Sequence, residues 1–463
     1  MAQSLMRGRP QRLVEHALES STSEQCIAIV NDTTSANLRW ANNTLTTNGV
    51  MHAIDVTVIA FQGEGNASVS GTAASLEQVT ALVASADRAA AVADAADDRA
   101  ELVAGDAARD WDDAPGDTSI QVFDGFATHL GEAFKQADAE RRILYGFVFH
   151  EVTTTYLGSS TGLRLRHVQP TGHYGCTGKN AEMTNSAWVG GATRDFSEVD
   201  GAAMASDLAT RLSWGERRTN LPAGRYDTIL SPTAVSDLMI DAYWSAGARN
   251  AADGQTIFSR PGGGTRIGEQ MVASGVRLYS DPSYPGLECE PFVVAGGSSD
   301  RSSVYDNGLP LDATDWIRDG RLTSLIQTRH TAELMGQPTT PAIDNMVLEI
   351  AGSSGSEADL VAGMEDGLLL TCMWYIREVD PQTMLLTGLT RDGVYRVQGG
   401  EITGAVNNFR YNESPIDVLN RFTHASGTVL SFSREWGEDF FSRTATPALR
   451  VPDFNMSSVS QAL

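Results

Sequence analysis

The run Met51 to Phe61, MHAIDVTVIAF, sets Ile54, Val56 and Val58 alternately against more polar neighbours. A period of two puts those side chains on one face of an extended strand, and that face has to be covered by apolar groups. The flanking sequence supplies helices for the purpose. In the first ~20 residues, Leu5, Leu13, Val14 and Ala17 fall near helical spacing. Ser75 to Leu102 is Ala-rich and opens with Ser-x-Glu, a helix-start pattern. Cys26 to Val30 and Leu38 to Trp40 read as two further strands, with turn-prone Asn31-Asp32 and Asn48-Gly49 between the strands. Residues 1–112 therefore read as an αβββα unit.

Asp94 to Asp117 carries nine acids against Arg99 and Arg109. This is the composition of a solvated helix end plus linker; a contact for a basic partner or a metal is the sharper alternative. Beyond it, a helix is expected over Val122 to Arg142 and strands over Ile143 to Leu157 and Leu163 to Val168. A helix over Ser197 to Arg218 follows, and Leu221-Pro-Ala-Gly224 breaks the chain. Residues 118–222 then read as a second α/β segment completing an N-terminal domain. From Arg225 the texture changes to short strands with frequent Gly and Pro, with helices expected at Pro232 to Ala248 and Glu357 to Asp366. That pattern marks a β-dominated domain over 224–463. No repeat with a period of roughly 20 to 50 residues is evident, against solenoids and propellers.

A chain of 463 residues has room for two large domains or three modest ones, and 41% apolar with 20% charged residues suits a soluble globular protein. No apolar run approaches the ~20 residues that span a bilayer, and the basic N-terminus lacks a signal-peptide core, so the cytoplasm is the expected compartment. With 34 Lys and Arg against 58 Asp and Glu, the surface repels phosphate backbones and anionic lipid, which disfavours nucleic-acid and membrane partners. Cys26, Cys176, Cys289 and Cys372 are too dispersed for a disulfide framework or a zinc ribbon and read as buried thiols.

Gly158-Ser-Ser-Thr-Gly162 matches G-x-S-x-G in letters, but that nucleophile motif needs a strand-to-helix turn, and the alternating Leu163-Arg-Leu-Arg-His167 favours a β-hairpin. Gly175-Cys-Thr-Gly178-Lys179-Asn180 fails as a phosphate loop, because His173 and Asn180 stand where Gly and a hydroxyl are needed. Gly262-Gly-Gly264 lacks the strand and helix of a dinucleotide fingerprint and reads as a glycine loop. His150-Glu151 continues into the β-branched Val152-Thr-Thr-Thr and finds no second histidine one helical turn on. The remaining histidines, at 16, 52, 129, 167, 173, 330 and 424, are scattered, so a zinc site would need distant segments.

The C-terminal half carries an ordered series of segments: Gly224-Arg-Tyr-Asp-Thr-Ile-Leu-Ser-Pro232, Leu278-Tyr-Ser-Asp-Pro282, Tyr305-Asp-Asn-Gly-Leu-Pro310, Ile317-Arg-Asp-Gly-Arg-Leu322, Gly367-Leu-Leu-Leu-Thr-Cys-Met373, Asp392 to Ile402 and Thr446-Pro-Ala-Leu-Arg-Val451. In that order they resemble the TldD/PmbA metallopeptidase family, in its PmbA/TldE branch. The resemblance implies an α+β fold: a two-layer α/β N-terminal domain, then a C-terminal domain built on a mainly antiparallel sheet or barrel. In the catalytic branch a helix carries H-E-x-x-x-H and a late Cys completes a zinc site. Here the corresponding helix, Ser236 to Ser245, has no histidine, and the late-Cys position falls near Ser433. Asp241 and Ser433 offer at best a weak oxygen site.

The resemblance thus implies a partner subunit that does no chemistry, binds no cofactor itself, and completes the peptide chamber of a TldD-like subunit that holds the zinc. A homodimer is the other assembly open to it, and unfolded peptide is the expected substrate. The strand around Thr371, Cys372, Met373 and Trp374 is the candidate for lining that chamber. Trp374 to Pro381 replaces the family's Gly-rich loop. The alternatives are an autonomous peptidase with a non-standard metal site, and a homodimeric peptide-binding protein without enzymatic activity.

Overall fold

The structure is a computed structural model and describes residues 10–461. Leu5 and the rest of 1–9 lie outside the described residues. Helix α1 (Pro10–Ser20) buries Leu13, Val14 and Ala17. It is followed by β1 (Gln25–Ala41), β2 (Thr44–Gln62), β3 (Gly65–Thr72) and α2 (Leu76–Ala90), then by α3 (Asp124–Ala139), β4 (Arg142–Ser159), β5 (Arg164–Asn180), β6 (Ser186–Thr193) and α4 (Gly201–Trp214). The αβββα order occurs twice, and both copies share one antiparallel six-stranded sheet, β3-β2-β1-β4-β5-β6, joined where β1 pairs with β4. The offset between copies exceeds the period at which solenoid repeats are sought, and this recurrence is one of topology.

Ile54, Val56 and Val58 face α1 and α2, together with Cys26, Ala28 and Val30 of β1. Further along, Leu38, Trp40, Leu144 and Val148 of the same sheet pack under α3 and α4. The opposite face holds Ile27, Ile29, Ile59, Phe61 and Leu157, which meet Phe292, Val304 and Tyr305 of the C-terminal half. That second cover explains why Ile59, Ala60 and Phe61 are all buried, although alternation alone would leave Ile59 and Phe61 exposed.

Local signals misplaced several boundaries. Asn31-Asp32 is not a turn: it lies inside β1, paired on both sides, and the buried Asp32 meets His52 at 2.8 Å. Asn48-Gly49 lies within β2, and the hairpin turns at Asn42-Asn43 with φ of 51° and 56°, the left-handed dihedrals that asparagine tolerates. Helix α2 stops at Ala90 and not at Leu102, because the next residues fold back: Ala96 N–H donates to Glu64 O, and Asp98 accepts from Ser298 and Ser303. The acidic stretch is therefore packed in part, with Trp111 buried and Asp110 paired to Arg166 at 3.1 Å. The Gly158 to Gly162 segment is the β4–β5 hairpin, and β5 runs on through the phosphate-loop lookalike to Asn180. Strands β3 and β6 escaped notice in the sequence, and the two strands expected at Cys26 to Val30 and Leu38 to Trp40 are the single strand β1.

The C-terminal half contains β7 (Arg218–Thr219), β8 (Gly224–Leu230), α5 (Pro232–Trp244), α6 (Ala248–Ala252), β9 (Val276–Ser280), β10 (Thr314–Arg318), β11 (Arg321–Leu322), α7 (Arg329–Met335) and β12 (Met346–Ile350). Then come α8 (Glu357–Ala362), β13 (Asp366–Leu370), β14 (Met373–Asp380), β15 (Leu385–Thr390), β16 (Val394–Gln398), β17 (Glu401–Val406), β18 (Phe409–Glu413) and α9 (Pro415–Arg421). Strands β19 (His424–Ala425), β20 (Val429–Ser431), β21 (Thr444–Thr446), β22 (Leu449–Met456) and β23 (Ser458–Val459) finish it. They form sheets ordered β11-β10-β9-β12-β21-β20, β19-β22-β8-β13-β16-β17-β7 and β14-β15-β18-β23. Pairing is mainly antiparallel, and none of these sheets closes, so the barrel expectation gives way to open sheets wrapped on a central helix. That helix is α5. Ser231 caps it, Pro232 opens it, and Ala234, Val235, Leu238, Met239, Ile240 and Tyr243 are all buried, as an apolar helix surrounded by sheets must be.

Candidate functional site

Two places are candidates for a site: the α5 face that the resemblance sets against the metal motif, and a cleft between the two halves of the chain. On α5, the Ser236 hydroxyl is fully buried among hydroxyls, 2.8 Å from Ser431 Oγ and 3.2 Å from Thr446 Oγ1, and it donates to Pro232 O at 2.9 Å. Asp237, one residue on, is fully buried. Its Oδ1 accepts from Ser433 Oγ at 2.6 Å and from Glu435 N–H at 3.1 Å, while Oδ2 accepts from Met373 N–H at 2.9 Å. Glu435 in turn accepts from the N–H groups of Tyr375 and Ile376 at 3.0 and 3.1 Å. The two carboxylates thus stand along β14 where a neighbouring strand's carbonyls would be, and they cap its free edge.

Burial lifts the Asp237 carboxyl from 3.8 to about 7 against the lowering effect of those three hydrogen bonds. Asp241, a turn further along α5, is half-buried, has one oxygen without a partner, and is lifted to about 7 by burial and the Glu378 charge. It borders a hollow shared with Asp253, Glu378 and Asp380. This donor set does not fit zinc. Ser236 and Ser433 present hydroxyls already engaged, no imidazole or thiolate joins them, and among the described residues no group of three His, Cys, Asp or Glu is placed to hold a metal.

Of the four candidate lining residues, Thr371, Cys372 and Met373 are buried and Trp374 is half-exposed. Thr371 Oγ1 donates to Gly393 O, Cys372 Sγ lies 3.4 Å from Arg391 O, and Met373 joins the main core. Trp374 lies beneath two guanidinium groups, with Arg434 Cζ 3.9 Å and Arg391 Cζ 5.1 Å from the ring centre. His150 is buried between Thr118 Oγ1 and Arg194 O, and burial lowers its pKa, which makes it a structural histidine. The four thiols are free and buried.

The cleft has a volume of about 870 Å³ and is lined by β6, the β5 segment before it, α4, and the end of β20 with Phe432 and Arg443. Strand β6 is the sheet's outer strand here. Trp188 N–H donates outward to Asp392 O at 3.2 Å, and Trp188 O accepts from Arg211 Nη1 at 2.7 Å. Alternation in an antiparallel ladder then points the N–H and C=O of Gly190 and Ala192 outward too, along the cleft wall, with no hydrogen-bond partner among the described residues. Gly190 must lack a side chain, since a Cβ would sit 2.2 Å from the Trp188 ring. On β20, Val429 and Leu430 are 50% and 55% exposed beside the same cleft.

Sequence reasoning singled out Asp241 and Ser433 but missed Asp237, Glu435, the β6 edge, Arg211 and Arg434. The one available sign was Trp188-Val-Gly-Gly, a glycine pair inside a strand-forming run, which signals close approach of another chain.

A profile of the PmbA/TldA metallopeptidase C-terminal domain matches residues 223–458, just over half of the chain. Comparison with curated proteins gives no match. Among solved structures, TldE from Thermococcus kodakarensis superposes with a TM-score of 0.75 at 13% identity, covering 96% of this chain and 99% of its own. A proposed modulator of a DNA gyrase from Thermotoga maritima gives 0.74 at 16% identity, covering 96% and 98%. A second proposed gyrase modulator, from Bacteroides thetaiotaomicron, gives 0.72 at 12% identity, covering 97% and 98%. These three likenesses are of fold, whereas the profile match is one of sequence, and on that match the chain belongs to the TldD/PmbA metallopeptidase family.

Proposed function

We propose that this chain is a TldE/PmbA-like subunit without a catalytic centre of its own, which pairs with a TldD-like zinc peptidase subunit and holds unstructured peptide for it. The observation that carries this reading is the Asp237 network. Around Ser236 and Asp237 the hydroxyls and the carboxyl are engaged in hydrogen bonds that tie α5 to β14 and to the Ser433 segment, and although Asp241 keeps one oxygen unpartnered, no group of three His, Cys, Asp or Glu among the described residues is placed to hold a metal. Such an arrangement stabilises a fold and lacks the imidazole and thiolate ligands of a zinc site. The second support is the β6 edge. An extended peptide can add to the outward groups of Gly190 and Ala192 as a further strand, with sequence tolerance because the backbone makes the bonds. A fold in which the cleft binds and the partner cuts accounts for both features.

The test is reconstitution. The chain is purified alone and with a TldD-like subunit, and zinc content and cleavage of an unfolded peptide are measured for each. Activity and zinc only in the pair are the expected result. One zinc per chain with cleavage by the lone protein refutes the reading.

A further inference from the structure

Arg301 is a cation that the fold partly buries and leaves without a counter-ion. Its Nε is shut off from solvent with no hydrogen-bond partner, and among the described residues no carboxylate lies within ion-pair distance of it. Burial lowers its pKa, and the opposing influence is Tyr243, not an acid. Taking a charge out of water without a partner is costly, and a buried N–H donor with no acceptor marks a place where an acceptor belongs.

Arg301 lines a cavity of about 340 Å³ at the C-terminal end of α5, a volume in the range of small-molecule sites. Tyr243, Trp244, Phe292, Ile343, Phe440 and Phe441 form the apolar wall, and Phe440, 68% exposed, marks the open side. The other polar groups of the wall are engaged. Tyr243 Oη donates to Ile343 O at 2.7 Å and accepts from Ile343 N–H at 2.8 Å. Asp306 accepts from Arg329 Nε at 2.7 Å, and Asp344 is paired with Arg443. Glu290, the third acid of the wall, has no arginine; its Oε1 accepts from Thr155 Oγ1 at 2.7 Å, and burial raises its pKa. Two of the three acids are thus spent on other arginines, and the third is not in contact with Arg301. A single guanidinium with apolar surroundings suits a carboxylate, which it can bind through two parallel hydrogen bonds. A phosphate, more strongly hydrated, would find too few donors here.

We propose that this cavity binds a carboxylate borne on an aromatic or large apolar group, with Arg301 taking the carboxylate and the aromatic wall enclosing the rest. The inference rests on the cavity alone and is independent of the peptide cleft and of any partner subunit. A free aromatic acid and the C-terminal residue of a peptide share this chemistry.

The test is isothermal titration calorimetry on the full chain with N-acetylphenylalanine, its C-terminal amide, and the peptide Ser-Gly-Ser-Gly-Ser-Phe with a free carboxylate. The acid is expected to bind with a Kd of about 1 mM or below, and at least about tenfold more tightly than the amide, the scale of a charge-assisted hydrogen bond. Arg301→Gln is expected to abolish that preference without lowering the urea midpoint, since it removes a charge that has no partner in the fold. If that variant does not fold, the acid-against-amide comparison on the parent still decides. Peptide binding that is lost in Arg301→Gln assigns the site to peptide C-termini, whereas binding of the acid alone assigns it to a small free acid; both support the inference. Equal affinity for acid and amide, no binding of either carboxylate, or a preference that survives in Arg301→Gln overturns it.

Discussion

Replacing Asp237 with Asn tests whether the α5 network is a buried carboxylate held in place by its neighbours. Asn keeps the shape and one acceptor oxygen but turns its amide towards one of the three donors, which at pH 5 should cost about 1 kcal/mol, the worth of one hydrogen bond. The dependence on pH is the sharper expectation. Burial raises the native carboxyl from 3.8 to about 7, so the unfolded chain ionises first as pH rises. The parent protein therefore has this contribution in full below pH 3.8 and loses it as pH climbs to about 7. At about 1.36 kcal/mol per unit, the window from pH 5 to 7 removes roughly 3 kcal/mol through this group from the parent and none through it from the variant, while Asp241, also lifted to about 7, weakens both alike. The variant should start slightly less stable at pH 5 and end more stable at pH 8, with the crossing between. Urea unfolding followed by far-ultraviolet dichroism at each pH gives the two midpoints. A midpoint difference that stays constant from pH 5 to 8 refutes the reasoning, since it means Asp237 does not titrate in this interval.

Three more perturbations probe other parts of the chain. Ser236→Ala leaves Ser431 and Thr446 with one hydroxyl partner fewer in a dry pocket and should lower stability by about 1 to 2 kcal/mol, read in the same urea titration. Leu163→Ala empties the space between the N-terminal sheet and Phe292, Val304 and Tyr305; a loss of about 2 to 5 kcal/mol is expected, with limited proteolysis between the two halves as an independent readout. Gly190→Val drives a side chain into the buried Trp188 ring, which packs on Cys372 and Phe432, so binding of a fluorescein-labelled unfolded peptide, read by anisotropy, should fall at least about tenfold and urea stability should drop by about 1 to 3 kcal/mol.

The parts of the fold legible in the sequence are those that short-range pattern controls. The alternation of Ile54, Val56 and Val58 put them on a covered face, the Ser231-Pro232 pair opened a helix where one forms, and the β-branched flank of Gly158 to Gly162 marked a hairpin. Where tertiary packing competes with local preference, the reading slipped. Asn31-Asp32 became mid-strand because β2 and β4 pair on both sides of it, and the Ala-rich helix ended early because Asp98 finds Ser298 and Ser303.

By itself the sequence determined several of the longer elements and the order of segments that marks the family, together with the absence of histidine from Ser236 to Ser245 and of cysteine near Ser433. Only the tertiary structure decided what replaced those ligands. Asp237 meets Ser433 across 196 positions of chain, and Trp188 meets Asp392 across a comparable span. No local period encodes such contacts, because they follow from how sheets dock once their apolar faces are buried. That docking turns a glycine pair in a short strand into the wall of a cleft, and it uses the acid on α5 to hold a neighbouring strand's edge.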